Sequence, residues 1–177
     1  MYLENWRPIS LVKVDSKLAS KVIANRMKKV IPCIIHYNQA RFIKGRFISE
    51  VARSILDIID HTETLKTPGV LLFIDFEKAF DSIEWDFLYK SLAAFNFGPT
   101  LIGWIKTFYN NVSSCVLNNG LFSAPFQLER GVRQGDPLSP YLFIVAIEIL
   151  AISLRTNKYI EGIKIGEDET KSLFLRG

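Results

Sequence analysis

Residues 70–74, Val-Leu-Leu-Phe-Ile, are five apolar side chains in a row, and they run straight into Asp75. A short unbroken apolar run is how a strand buried on both faces reads. Here the strand would deliver one acid at its end. A second acid, Asp81, follows six residues later, after Lys78 and the apolar pair Ala79-Phe80. A carboxylate that ends a buried strand is held rigidly by the sheet and faces the opening where the chain leaves it. That position suits a hard divalent cation, which takes oxygen ligands and binds through one or two carboxylates plus substrate phosphates. Taken alone, two acids at this spacing are a weak pattern and the stretch reads first as an ordinary strand followed by a solvated acid, so the rest of the chain has to decide.

The chain has 177 residues, 49% of them apolar. That is enough for one globular domain with a core, or for part of a larger one. The net charge of +4 is unevenly spread. Residues 1–53 hold 11 Lys and Arg against 3 Asp and Glu, and residues 54–177 hold 11 against 15. A basic first third beside an acid-bearing centre suits a polyanion lying over a metal site. A solvated lysine-rich helix gives the same count. Cys33 and Cys115 lie far apart in apolar contexts and make no zinc spacing with His36 or His61. They read as buried free thiols of a reducing compartment. Glu4 and Arg7 interrupt any secretory signal. The expectation is an intracellular protein, nuclear or cytoplasmic, without a membrane span. The most apolar run, residues 137–154, contains two prolines and Glu148, and reads as a buried helix.

In chain order, Arg7-Pro8 favours an extended start. Asp15-Ser16 can cap a helix to about Val30, ended by Pro32. Residues 38–46, Asn-Gln-Ala-Arg-Phe-Ile-Lys-Gly-Arg, interleave Arg41, Lys44 and Arg46 with Phe42 and Ile43, a pattern that can line a nucleic-acid groove. Residues 48–61 read as an amphipathic helix with Val51, Ile55, Ile58 and Ile59 as its stripe. Residues 63–69 are a polar linker. After the apolar run, a helix starts at Ser82 or Glu84 and reaches about Asn96. Gly98 closes it, and Pro99 opens the next, to about Tyr109. Residues 113–117 and 121–128 read as strands joined by an Asn-Gly hairpin turn at Asn118-Asn119-Gly120. Residues 130–140 form a loop before the apolar helix 141–154. A last hairpin is expected over 161–166 and 170–175, around Glu167-Asp168. The predicted fold class is α+β, with helices packed on one face of a mainly antiparallel sheet.

At these residues the chain resembles the reverse transcriptase domain of non-LTR (LINE-type) retrotransposons. Four stretches carry the likeness over essentially the whole chain. They are Asn-Trp-Arg-Pro-Ile-Ser-Leu at 5–11, residues 38–46, Phe-Ile-Asp-Phe-Glu-Lys-Ala-Phe-Asp-Ser-Ile at 73–83, and Arg-Gly-Val-Arg-Gln-Gly-Asp-Pro-Leu-Ser-Pro-Tyr-Leu-Phe at 130–143. Group II intron proteins share the scheme, but the last two motifs look more like the LINE type. The resemblance implies a right-hand polymerase with fingers over about residues 1–69 and a partial palm over about 70–177. It implies an RNA template, a DNA primer and an incoming dNTP as partners. The reaction is attack of the primer 3′-hydroxyl on the α-phosphate, assisted by two Mg2+ or Mn2+ ions. By resemblance, Asp75 binds both metals and is catalytic, and the carbonyl of Phe76 is a further ligand. Phe80 is the gate under the sugar. Gln134 and Gly135 line the nucleotide pocket. Arg7 and Lys17 reach the triphosphate, and Arg41, Lys44 and Arg46 meet nucleic acid. Beside these roles stand plainer ones: Asp81 as a helix cap, Phe80 as core, Gly131, Gly135 and Pro137 as turn chemistry, and Asp136 as an acceptor for its own loop.

The resemblance also sets an expectation about the chain's last residues. The family's next motif is an aromatic-Ala-Asp-Asp turn that supplies the remaining metal carboxylates. Lys171-Ser172-Leu173-Phe174 looks like the strand that enters it, but Leu175-Arg176-Gly177 follows. Glu167, Asp168 and Glu169 lie before that strand and read as a solvated turn. The reading is a domain truncated before the acid pair, with no thumb, an incomplete metal site, little activity alone and a poorly paired last strand. Two alternatives stand beside it: a non-catalytic RNA-binding fragment and a degenerate retroelement relic.

Overall fold

The computed structural model describes residues 9–72, 74, 76–165 and 168–171. Among the described residues, five helices carry the fold: α1 (Val14–Ile34), α2 (Ile48–Leu65), α3 (Trp85–Ala94), α4 (Pro99–Tyr109) and α5 (Ser139–Thr156). Six short strands accompany them: β1 (Ser113–Ser114), β2 (Leu117–Asn118), β3 (Leu121–Phe122), β4 (Phe126–Gln127), β5 (Ile163–Ile165) and β6 (Asp168–Thr170). The class is α+β. The strands, however, make three separate antiparallel pairs, β1 with β4, β2 with β3 and β5 with β6, where one mainly antiparallel sheet was expected.

The core is a helix layer. α5 packs on α3 and α1, and α4 packs on α3. Met27 and Ile31 of α1, Leu88 and Leu92 of α3, Ile105 of α4, and Leu142, Ile144 and Val145 of α5 are all at most 1% exposed. Burying each such side chain contributes roughly 1.5–3 kcal/mol. α5 is long and apolar enough to cross a membrane, yet it is this layer's central helix. It also holds Glu148, 2% exposed, whose carboxylate accepts from the Arg155 guanidinium. A buried acid with a built-in cation belongs to a packed interior.

Pro32 does not end α1. The helix continues to Ile34, and Ile35 N–H still bonds Ile31 O at 3.0 Å. Proline removes only the donor that Lys28 O would have met, and both residues are exposed to water. The start also shifts: Lys13 is the N-cap, and Asp15 lies in the first turn without capping. Between α3 and α4, the left-handed position is Asn96 (φ 59°), with Phe97 N–H on Leu92 O at 3.1 Å. Gly98 is instead the N-cap of α4, with Pro99 at its first position as expected.

The Asn-Gly hairpin forms as read. Asn118 faces Leu121, and Asn119 and Gly120 both take positive φ, 49° and 79°, as a two-residue turn of this hand requires. The last hairpin forms too: Ile163 pairs with Thr170 and Ile165 with Asp168, so Asp168 stands in a paired strand and not in the turn. Residues 172–175 of that expectation lie outside the described residues.

Two further expectations fail. Val70, Leu71, Leu72 and Ile74 are not in a strand and are 90, 50, 74 and 48% exposed. Among the described residues, each strand pairs only within its own two-stranded ribbon, and none pairs with these residues. Cys33 and Cys115 are exposed, not buried.

Candidate nucleic-acid interface

Beyond the apolar run, residues 76–82 coil into a tight turn. Lys78 takes positive φ (49°), and its carbonyl accepts from Asp81 N–H at 2.8 Å and Ser82 N–H at 3.1 Å. The turn points Phe80 inward, where its ring stacks on Phe143 of α5 at 5.0 Å and 9°. It also brings Asp81 against the loop before α5. Asp75 itself lies outside the described residues, as does Arg7.

The loop of residues 130–140 is laced to that turn. Val132 N–H bonds Phe80 O at 2.7 Å, and Gly131 N–H bonds Ile83 O at 2.8 Å. Trp85 Nε1 donates to Gly131 O at 2.8 Å, and Glu84 and Arg130 form a bridge. Gly131 is required here. Its φ is +94°, and a Cβ would sit 3.0 Å from both Cα and O of Asp81. Gln134 Nε2 donates to Asp81 Oδ2 at 3.4 Å. Burial pushes the Asp81 carboxyl above its ordinary pKa, opposed by Lys78 and by the Gln134 hydrogen bond. Asp81 therefore pairs with Gln134 and caps no helix, since Glu84 is the N-cap of α3. Gly135 (φ +92°) lies under Ser10, whose N–H bonds Gln134 O at 3.3 Å. Asp136 is buried and accepts from Leu138 N–H at 2.8 Å, the loop-acceptor role.

A cleft of about 600 Å³ lies beside this loop. It is lined by Arg41, Phe42, Lys44 and Arg46 of the basic loop and by Pro137, Pro140 and Tyr141. Lys28 of α1 joins them. Lys28 and Tyr141 are cleft residues that the motifs do not mark, since in sequence Lys28 reads as one more lysine of a solvated helix face. No spacing signal in the sequence links either residue to the basic loop, and only the packing of α1 and α5 brings them to it. Arg41 lies over the Phe42 ring at 4.9 Å, and Lys44 is exposed. Both are available to a ligand. Arg46 is committed otherwise. Its Nη1 donates to His36 O (2.6 Å) and Gln39 O (2.9 Å), and its Nη2 to Pro32 O (3.1 Å) and Ile35 O (3.2 Å). Four of its five donors thus hold the end of α1. Lys17 lies in α1, half-buried, and does not line the cleft.

Arg133, which the motif reading passed over, ties the loop to α4 by donating to Phe108 O at 2.8 Å and lying 5.8 Å from the Tyr109 ring. A second, mainly apolar cleft of about 370 Å³ is lined by Phe76, Glu77, Ala79, Phe87, Phe143 and Leu150 among others. Among the described residues, no three Asp, Glu, His or Cys side chains converge, so these residues do not by themselves fit a metal ion.

The turn is thus clamped to a glycine-bearing loop, and a cleft with basic and aromatic lining lies beside it. Comparison with known proteins makes this specific. The profile of the family described as reverse transcriptase (RNA-dependent DNA polymerase) matches residues 3–168, and the chain belongs to that family. It is similar to the "Transposon TX1 uncharacterized 149 kDa protein" of Xenopus laevis, 36% identical over 96% of this chain and 13% of that protein. It is 28% identical to a "Retrovirus-related Pol polyprotein from type-1 retrotransposable element R2" of Popillia japonica, over 93% of this chain and 23% of that protein. It is 30% identical to the "Probable RNA-directed DNA polymerase from transposon BS" of Drosophila melanogaster, over 80% of this chain and 16% of that protein. These relatives make it a reverse transcriptase domain of the non-LTR retrotransposon kind. The chain spans less than a quarter of the length of each of these three relatives. Proteins of this family bind an RNA template and a nucleic-acid primer and use divalent metal ions.

Proposed function

We propose that this chain is the fingers and part of the palm of an RNA-directed DNA polymerase, about residues 1–69 and 70–177, and that its basic cleft holds the template. The cleft carries the reading: Arg41, Lys44 and Lys28 line it together with Pro137, Pro140 and Tyr141. Arg41 and Lys44 contact phosphate, Arg through its bidentate fork. Phe42 and Tyr141 offer rings to bases. Gln134 and Gly135 line the dNTP pocket. Phe80, braced by its stack on Phe143, is the rigid floor under the sugar, and a braced ring excludes a 2′-hydroxyl better than a loose one. Arg7 and Lys17 serve the triphosphate. The DNA primer and the dNTP complete the set of partners.

Asp75, with the Phe76 carbonyl, would hold Mg2+ or Mn2+, which supplies charge neutralisation for phosphoryl transfer. Asp75 stands in these 177 residues without an Ala-Asp-Asp turn. Few protein carboxylates hold Mg2+, and groups that act as one unit fail together. The purified chain is therefore expected to bind RNA but to extend a primer little. Template-dependent extension with Mg2+ and dNTPs, abolished by Asp75→Ala, would overturn the second half of that statement.

The binding half is tested by fluorescence anisotropy with single-stranded RNA. Affinity should fall steeply between about 50 and 200 mM salt, as counterion release dictates. The Arg41→Ala, Lys44→Ala double substitution should weaken it about tenfold on every sequence. Affinity indifferent to both salt and substitution would refute the proposal.

A further inference from the structure

We propose that this protein pairs with a second copy of itself through one edge of its β-ribbon, residues 112–118, joined antiparallel about a twofold axis. The ribbon runs from Val112 and Leu128 to the turn at Asn119-Gly120. Residues 107–128 contain no Asp, Glu, Lys, Arg or His, in a chain where 23% of residues are charged. Its apolar side chains are open: Leu121 and Phe122 are 76 and 70% exposed, and Val116 is 55% exposed.

The two edges of the ribbon differ. The 121–128 side carries Pro125, which has no N–H to offer, and is kinked there, three residues facing two. The 112–118 side has neither proline nor charge, the two usual guards of an exposed edge. Val112 and Val116 turn their backbone inward: Val112 O accepts from Leu128 N–H at 2.8 Å, and Val116 O from Ser123 N–H at 2.9 Å. Strand alternation then turns the N–H and C=O of Ser113, Cys115 and Leu117 outward. Among the described residues no other strand takes them.

The occupant of such an edge is another strand, because only a backbone answers a row of backbone donors and acceptors. An uncharged edge discourages a basic or acidic partner and opposes nothing in its own copy. A twofold pairing is isologous and closes, so it stops at two chains. The register that pairs all seven residues places Cys115 opposite its twin. Directly opposed residues of that kind lie about 5.5 Å apart at Cα, inside the span a disulfide bridges, about 4.4–6.8 Å. The exposed thiol is thus a built-in reporter of the pairing.

Light scattering on the purified chain under reducing conditions should give twice the monomer mass at tens of micromolar. Ser113→Pro removes one outward donor and leaves the inward ladder intact, and Val116→Lys places a charge on the edge. Each should restore the monomer with an unchanged circular dichroism spectrum. In a Cys33→Ser background, mild oxidation should link two chains through Cys115. A monomeric parent chain would overturn the proposal, as would a dimer that survives both substitutions or cross-links only through Cys33.

Discussion

Arg41 and Arg46 sit five residues apart in one basic loop, and the structure gives them different work. Arg46 spends four donors on the carbonyls of Pro32, Ile35, His36 and Gln39, while Arg41 leans on Phe42 at the mouth of the cleft. Arg46→Ala strands those carbonyls and should lower unfolding free energy by about 2 kcal/mol or more. Arg41→Ala should stay within about 0.5 kcal/mol while weakening RNA binding. Urea unfolding of the two variants separates the roles; equal stability losses would contradict them. Gly131 makes a second residue-scale case. A methyl there meets the Asp81 backbone at 3.0 Å on a φ of +94°. Gly131→Ala should cost about 2 kcal/mol or more and be visible as a lower Tm. Composition and spacing marked both arginines and the glycine as special. Which arginine faces inward was not legible, because the carbonyls that Arg46 meets are presented only once α1 has overrun Pro32.

At the scale of elements, local chemistry was legible where local rules decide. α4 begins at Pro99 and ends at Tyr109 as its sequence reads, and the Asn-Gly turn makes its hairpin. Where burial decides, boundaries moved. α1 passes its proline because Ile31 and Ile35 are buried on either side of it. The junction of α1 with α5 also carries a pH dependence. His36 lies by Arg155, Glu148 and Arg46, and its backbone N–H points to Glu148 Oε1 at 3.5 Å. Burial first, then the Arg155 guanidinium, pushes the His36 pKa below its usual 6.5, against the pull of Glu148. The folded chain then binds fewer protons than the unfolded one just below that value. The stabilising contribution is present above pH 6.5 and is lost as pH falls through the window beneath it. His36→Gln should flatten the stability profile between about pH 7 and 5, followed by urea midpoints. An unchanged slope would assign the dependence elsewhere.

Over the whole molecule, the strongest pattern in the sequence met the largest correction. Residues 70–74 carry the composition of a buried strand, yet Val70, Leu71 and Leu72 are exposed coil. Their amides should exchange with solvent rapidly, while those of Leu142, Ile144 and Val145 in α5 stay protected. Comparable protection at both places, measured by hydrogen exchange and mass spectrometry, would restore the strand. The four motifs and their order established the family on residue identity alone, because spacing along a chain survives without coordinates. The helices of the core were legible for a related reason: their apolar periodicity is written locally. The exposed coil at residues 70–72, the commitment of Arg46 and the convergence of Lys28 and Tyr141 on one cleft were decided only in three dimensions. Each depends on how separate elements pack together, and neither propensity nor spacing records which of several possible partners a side chain or an apolar run finally meets.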